Sequence, residues 1–271
     1  MNGVIFRETI KRSWRGALWW GLGLGLLAWV QIVAVPSVES IQQITEVMES
    51  MPPVMLQMFG ASDMAFMATV EGYLALQIFA FLPLILAIYG AACGMNIVAN
   101  EEERGIMDSL LSFPVTRTQI VREKALAYAL LIVAVLVQVF IWIVIGLVMT
   151  PEIAAQVNVA EMGLATMGMI PITWIVMGFT ALLTGLLRNR GLATTLIAVF
   201  VLASYFLNTL GSTTTGSILG TLRPLSYFSY FDSQAILQGG LGVAGMLVLT
   251  AATVIFVAGG MVGFQRRDVG V

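Results

Sequence analysis

Six long apolar stretches alternate along the chain with short polar blocks, and none of the six contains Asp, Glu, Lys or Arg. They are Ala17 to Val35, Tyr73 to Val98, Ala125 to Met149, Leu164 to Leu187, Gly191 to Leu210 and Leu241 to Phe264. A helix needs about 20 apolar residues to cross a hydrocarbon layer about 30 Å thick, and these stretches run from 19 to 26 residues. The pattern predicts an all-α integral membrane protein with six transmembrane helices, forming one domain over residues 1–271.

The polar blocks orient the helices. Arg7, Lys11, Arg12 and Arg15 precede the first stretch, Arg104, Arg117, Arg122 and Lys124 separate the second from the third, Arg188 and Arg190 separate the fourth from the fifth, and Arg266 and Arg267 follow the sixth. That places 12 of the 13 basic residues on one side, with Arg223 alone opposite. Basic loops are retained in the cytoplasm, so both termini are expected there. An odd number of crossings would scatter the basic blocks over both faces.

Residues 1–16 carry apolar positions Phe6, Ile10 and Trp14 at helical spacing beside basic ones. This reads as an amphipathic interfacial helix that lies along the inner surface before turning into the first span. A cleaved signal peptide is the rival reading, but its apolar core would be about 7–15 residues, shorter than this run.

Composition removes whole classes of chemistry. The chain is 59% apolar and 10% charged, with a mean hydropathy of +0.93. It has no His and a single Cys, Cys93, which excludes an intrachain disulfide, a His/Cys zinc site and a histidine-based triad. A net charge of −2 without a basic stripe argues against nucleic acid. The membrane lipid is the partner that composition demands.

Of the loops, residues 36–72 form the longest outer one. Val38, Ile41, Thr45 and Met48 share a helical face, and Pro52-Pro53 opens a second short turn that Gly60 can close. The later cluster Tyr227, Phe228, Tyr230 and Phe231 reads as an interfacial aromatic belt.

Within the spans, Gly21 and Gly25, Gly90 and Gly94, and Gly259 and Gly263 make small-xxx-small pairs that let helix backbones approach. Pro83 and Pro171 predict kinks in spans two and four. Gln77, Gln138, Asn208 and Tyr89 either line a path or bond between helices. Ion-coupled carriers keep ionisable residues at membrane depth, and these spans have none, so energy for active transport must come from outside the chain.

The cytoplasmic loop over residues 99–124 is the most distinctive segment. After Asn100, Glu101-Glu102-Glu103 opens a short helix at the positive end of its dipole, Ile106, Leu110 and Phe113 form one apolar stripe, and Pro114 ends it. Thr116 to Lys124 then leads back into the third span. A stripe of three positions cannot fold by itself and must pack on this chain, on lipid or on another protein.

The pattern E-E-x-R-G-I-x-x-x-L-L-S-x-P-V-T-R, from Glu101-Glu102 to Arg117, resembles the coupling-helix segment of permease subunits in type 2 ATP-binding-cassette (ABC) transporters. Ser13-Trp14-Arg15-Gly16 and Glu71-Gly72-Tyr73 are similar to the branch that exports polyketide-type antibiotics. The resemblance implies a permease that pairs with a second copy, identical or closely related, and with two copies of a separate ABC ATPase that binds ATP and Mg. It would export a hydrophobic or amphipathic compound across the cell membrane of a bacterium or archaeon. It further implies that Glu101, Glu102, Arg104 and Gly105 begin the coupling element. Ile106, where Thr is commoner, would form its docking surface with Leu110, Leu111 and Pro114, and Arg117 would close the motif. The chain has no G-x-x-x-x-G-K-[ST] loop and is not expected to be an enzyme or to hold a cofactor. The alternatives are a non-transporting membrane scaffold or sensor and an ion-coupled carrier.

Overall fold

The computed structural model describes residues 3–34, 66, 69–100, 116–213, 218–240 and 242–266. Among these residues there is no strand, and six helices are long and apolar enough to cross a membrane. They are α1 (Val4–Val33), α2 (Val70–Met95), α3 (Arg117–Met149), α4 (Val159–Leu186), α5 (Arg190–Thr213) and α6 (Val243–Arg266). Each contains most of one predicted stretch, and α3 extends upstream to Arg117, where Thr116 caps it by accepting a hydrogen bond from the Gln119 amide.

One expectation is corrected. No turn separates residues 4–16 from the first span, because α1 runs as a single helix of 30 residues from Val4 to Val33, about 45 Å at 1.5 Å per residue. Gly16 has nothing within 4 Å of where a Cβ would sit, so it neither breaks the helix nor forces a bend. The turns over residues 4–16 pack against α3, where Ser13 Oγ and Tyr128 Oη lie 3.2 Å apart.

Close contacts give the helices their relative directions. A Cβ on Gly21 would meet Gln138, one on Gly25 would meet Trp142, and one on Gly146 would meet Ile32, so α1 and α3 are parallel neighbours. Gly90 meets Thr173 and Gly94 meets Thr180, which makes α2 parallel to α4. Gly178 meets Thr253 and Gly185 meets Gly260, which makes α6 parallel to α4 as well. Against these, α3 and α4 are antiparallel: Gly163 meets Phe140, while Trp174 Nε1 donates to the Ala129 carbonyl further along. Helices α1 and α3 therefore run one way and α2, α4 and α6 the other, as odd and even crossings must.

α4 is the central element. Thr166, Thr173, Thr180 and Thr184 are all buried on it, and each hydroxyl donates to the carbonyl four residues back, which satisfies the polar group inside an apolar bundle. α5 is the most peripheral. It buries a narrow stripe, Ala193, Ile197, Ser204, Thr209 and Gly211, while Leu192, Leu196, Val199, Leu202 and Phe206 are exposed.

The two prolines differ in outcome. Upstream of Pro83, α2 widens into a π-helical turn, Ala75–Phe79, closed by the Ala80 amide on the Ala75 carbonyl, before regular helix resumes at Leu82. The missing proline N–H and the ring's clash with the preceding turn make such a break the expected local solution. Around Pro171, by contrast, α4 stays helical throughout.

Candidate functional site

The directions of the helices bring the basic blocks together. The starts of α1, α3 and α5 and the ends of α2, α4 and α6 form one end of the bundle, which carries Arg7, Lys11, Arg12, Arg15, Arg117, Arg122, Lys124, Arg188, Arg190 and Arg266. The opposite end carries Glu71, Glu152, Glu161 and Asp232, with Arg223 donating to Asn208 Oδ1 at 3.1 Å. There Glu71 also accepts from the Asn158 amide at 2.8 Å, which ties the start of α2 to the start of α4.

At the basic end, the first two turns of α3 are the meeting point. Glu123 is only 4% exposed, and its carboxylate accepts from the Gly3 amide at 3.0 Å, the Phe6 amide at 3.1 Å and Gln119 Nε2 at 2.9 Å. Gly3, with φ 92°, offers no side chain to cap α1, so the Gly3 and Phe6 amides at the start of the helix are satisfied by Glu123 instead. Lys124 is equally buried, and its Nζ donates to the carbonyls of Ile97 and Asn96 at 3.4 and 3.5 Å, where α2 ends. Among the described residues these two are the buried charged side chains, and each meets the helix pole of opposite sign.

Arg117 is the one predicted site residue within the described residues. Its Nη1 donates to the Phe264 carbonyl at 3.3 Å, and its guanidinium carbon lies 5.5 Å from the centre of the Phe264 ring at the end of α6. Glu101, Glu102, Arg104, Gly105, Ile106, Leu110, Leu111 and Pro114 lie outside the described residues, as does the outer segment from Pro36 to Ala65. Glu123 and Lys124 were not singled out by sequence reasoning. The only local signal was a pair of opposite charges directly before a span, and the helix ends they hold lie 27 to 120 residues away.

Inside the bundle, Gln138 and Tyr89 pack between helices. Gln138 fills the space left by Gly21, and Tyr89 packs on Trp20 with ring centres 5.2 Å apart. The expected aromatic belt is in part a buried cluster. Tyr227 stacks on Phe228 at 4.3 Å and on Phe200 at 5.3 Å, and Phe200 stacks on Phe179 at 4.1 Å, joining α4 and α5 to the short helix Tyr227–Tyr230. Ring stacking and burial of large apolar area outweigh interfacial placement of these two side chains, although the Tyr227 hydroxyl is left without a partner. No group of His, Cys, Asp and Glu able to hold a metal occurs among the described residues.

Among the described residues the arrangement is a charged junction in which four helices end. The chain matches the family described as ABC-2 family transporter protein over residues 4–269. No curated protein matches it.

Proposed function

The chain belongs to the ABC-2 family of transporter proteins, and on that premise we propose that it is the permease subunit of an ATP-driven exporter of a hydrophobic or amphipathic compound. The match over residues 4–269 is the observation that carries the reading. The uncharged spans are consistent with it, since a carrier driven by ions would place ionisable groups at membrane depth. Energy then has to arrive from a partner, and a separate ABC ATPase, in two copies with bound ATP and Mg, supplies it.

In this reading the basic end faces the cytoplasm, by the retention of positive loops. Residues 101–115 dock on the ATPase through Ile106, Leu110, Leu111 and Pro114, with Glu101, Glu102, Arg104 and Gly105 at the start of the element. Arg117, at the start of α3, holds the point where that segment re-enters the bundle by donating to the Phe264 carbonyl of α6. A second permease copy completes the pathway, and the exposed apolar face of α5 is available to it or to lipid. The resemblance to polyketide-antibiotic exporters of bacteria and archaea extends the proposal to the class of cargo.

Co-expression with an ABC ATPase subunit from the same source tests the reading. A complex that co-purifies and hydrolyses ATP supports it, and an active chain that functions with no ATPase bound would overturn it.

A further inference from the structure

Three charged side chains in the first two turns of α3 each hold the end of another helix, and each has the sign that the helix pole attracts. Glu123 holds the start of α1, Lys124 the end of α2 and Arg117 the end of α6. The first of these attachments differs from the others. α1 is also interlocked with α3 along its length, because Gln138 and Trp142 occupy the space where Cβ atoms of Gly21 and Gly25 would sit, and Ile32 occupies that of Gly146. Rotating or sliding α1 past α3 would drive backbone into these side chains.

The remaining helices form their own unit. α2 and α6 pack backbone to backbone on α4, with a Cβ on Gly94 reaching 2.6 Å from the Met177 carbonyl oxygen and one on Gly185 reaching 2.4 Å from that of Gly260. This unit meets α3 along α4 through side chains, Trp174 on the Ala129 carbonyl and Phe140 against Gly163, and at the basic end through terminal carbonyls, which a long Lys or Arg side chain can follow through a rotation.

We propose that α1 and α3 move as one rigid body against a second body made of α2, α4 and α6, with Glu123 the positioning residue that fastens α1 to α3. Lys124 and Arg117 act as the pivots between the bodies. The inference rests on reading residues 101–115 as the ATPase-docking segment, since that segment leads directly into Thr116 and the first turn of α3. A capping residue within the chain's own first turn would have stabilised α1 equally well. Placing the cap on α3 makes the start of α1 follow α3 and not the membrane surface.

Spin labels test this in the ATPase complex, reconstituted in nanodiscs with one labelled copy per complex and Cys93→Ala as background. Trp19, Ile141 and Val254 are exposed positions on α1, α3 and α6. Between the nucleotide-free and the Mg-ATP-vanadate states, the distance from 19 to 141 is expected to stay the same while that from 141 to 254 shifts. With Glu123→Gln, which loses the charge and one acceptor, or Glu123→Ala, the 19-to-141 distribution should broaden and become nucleotide-dependent while ATP hydrolysis persists. Joining Gly3→Cys to Glu123→Cys with a short bis-methanethiosulfonate should restore the single distance, which a merely stabilising role for the charge would not require. A 19-to-141 distance that shifts in the unsubstituted complex would overturn the two-body division, and unbridged variants indistinguishable from that complex would overturn the fastening role of Glu123. A complex that hydrolyses ATP while the 141-to-254 distance does not respond would overturn the two-body division and leave the permease reading standing, whereas a chain that is active with no ATPase bound would overturn that reading and this inference with it.

Discussion

Gly185 of α4 and Gly260 of α6 touch backbone to backbone: a Cβ on Gly185 would lie 2.4 Å from the Gly260 carbonyl oxygen and 2.9 Å from its Cα. Neither atom belongs to a side chain that can swing aside, so the helices themselves would have to separate. Gly185→Ala is therefore expected to destabilise the bundle by about 1–3 kcal/mol through overpacking. Gly23, with nothing within 4 Å, supplies the contrast, and Gly23→Ala should be neutral or stabilising by up to about 1 kcal/mol from helix propensity. The buried thiol of Cys93 is a built-in reporter. Its reaction with a thiol-reactive dye on heating should begin at a lower temperature in the first variant and not in the second.

Tyr227 gives a test of the aromatic cluster. Its ring is stacked and buried but its hydroxyl has no partner. Removing that hydroxyl in Tyr227→Phe removes an uncompensated desolvation cost of about 1–3 kcal/mol, so the variant should melt at the same temperature or higher. Tyr227→Ala, which empties the stack, should lose about 3–5 kcal/mol. The same dye assay on the two variants decides the matter, and a destabilised Tyr227→Phe would mean that the hydroxyl is satisfied in the membrane.

Lys124 predicts a local effect at the end of α2. Lys124→Met keeps the aliphatic stem and removes the donor to the Ile97 and Asn96 carbonyls, with an expected loss of about 1 kcal/mol. Hydrogen exchange should rise in the last turn of α2 before it rises in α4. Lys124→Glu, which sets a negative charge against a negative pole, should be far worse and reduce the yield of folded protein.

Topology can be checked by chemistry alone. In a Cys93→Ala background, a membrane-impermeant maleimide added to intact cells is expected to label Arg223→Cys and to spare Lys11→Cys. Labelling of Lys11→Cys from outside would reverse the orientation and remove the cytoplasmic docking segment from reach of ATP.

Leu110→Asp addresses the docking segment directly. A charge on the apolar stripe is costly wherever that stripe is buried against a partner, so export should fall while membrane insertion is unchanged and the ATPase subunit continues to hydrolyse ATP. Unchanged export in this variant would remove residues 101–115 from the coupling role.

The hydropathy pattern alone was enough to count the crossings, because a bilayer demands about 20 apolar residues per helix and imposes that requirement locally, span by span. The same holds for the glycine pairs. Gly21 with Gly25, Gly90 with Gly94 and Gly259 with Gly263 all prove to be sites of close approach, since small residues at i and i+4 create a groove whatever fills it. What fills it was not legible: that Gln138 and Trp142 enter one groove, Thr173 and Thr180 another, and Leu182 and Leu186 the third depends on which helices become neighbours. The continuous α1, the inward turn of Tyr227 and Phe228, and above all the grip of Glu123 on Gly3 likewise needed the fold. A charge is recognisable in a sequence, but the helix pole that stabilises it is a property of backbone brought from elsewhere. Sequence therefore settled how many helices cross and which end is basic, and tertiary packing decided which helices move together.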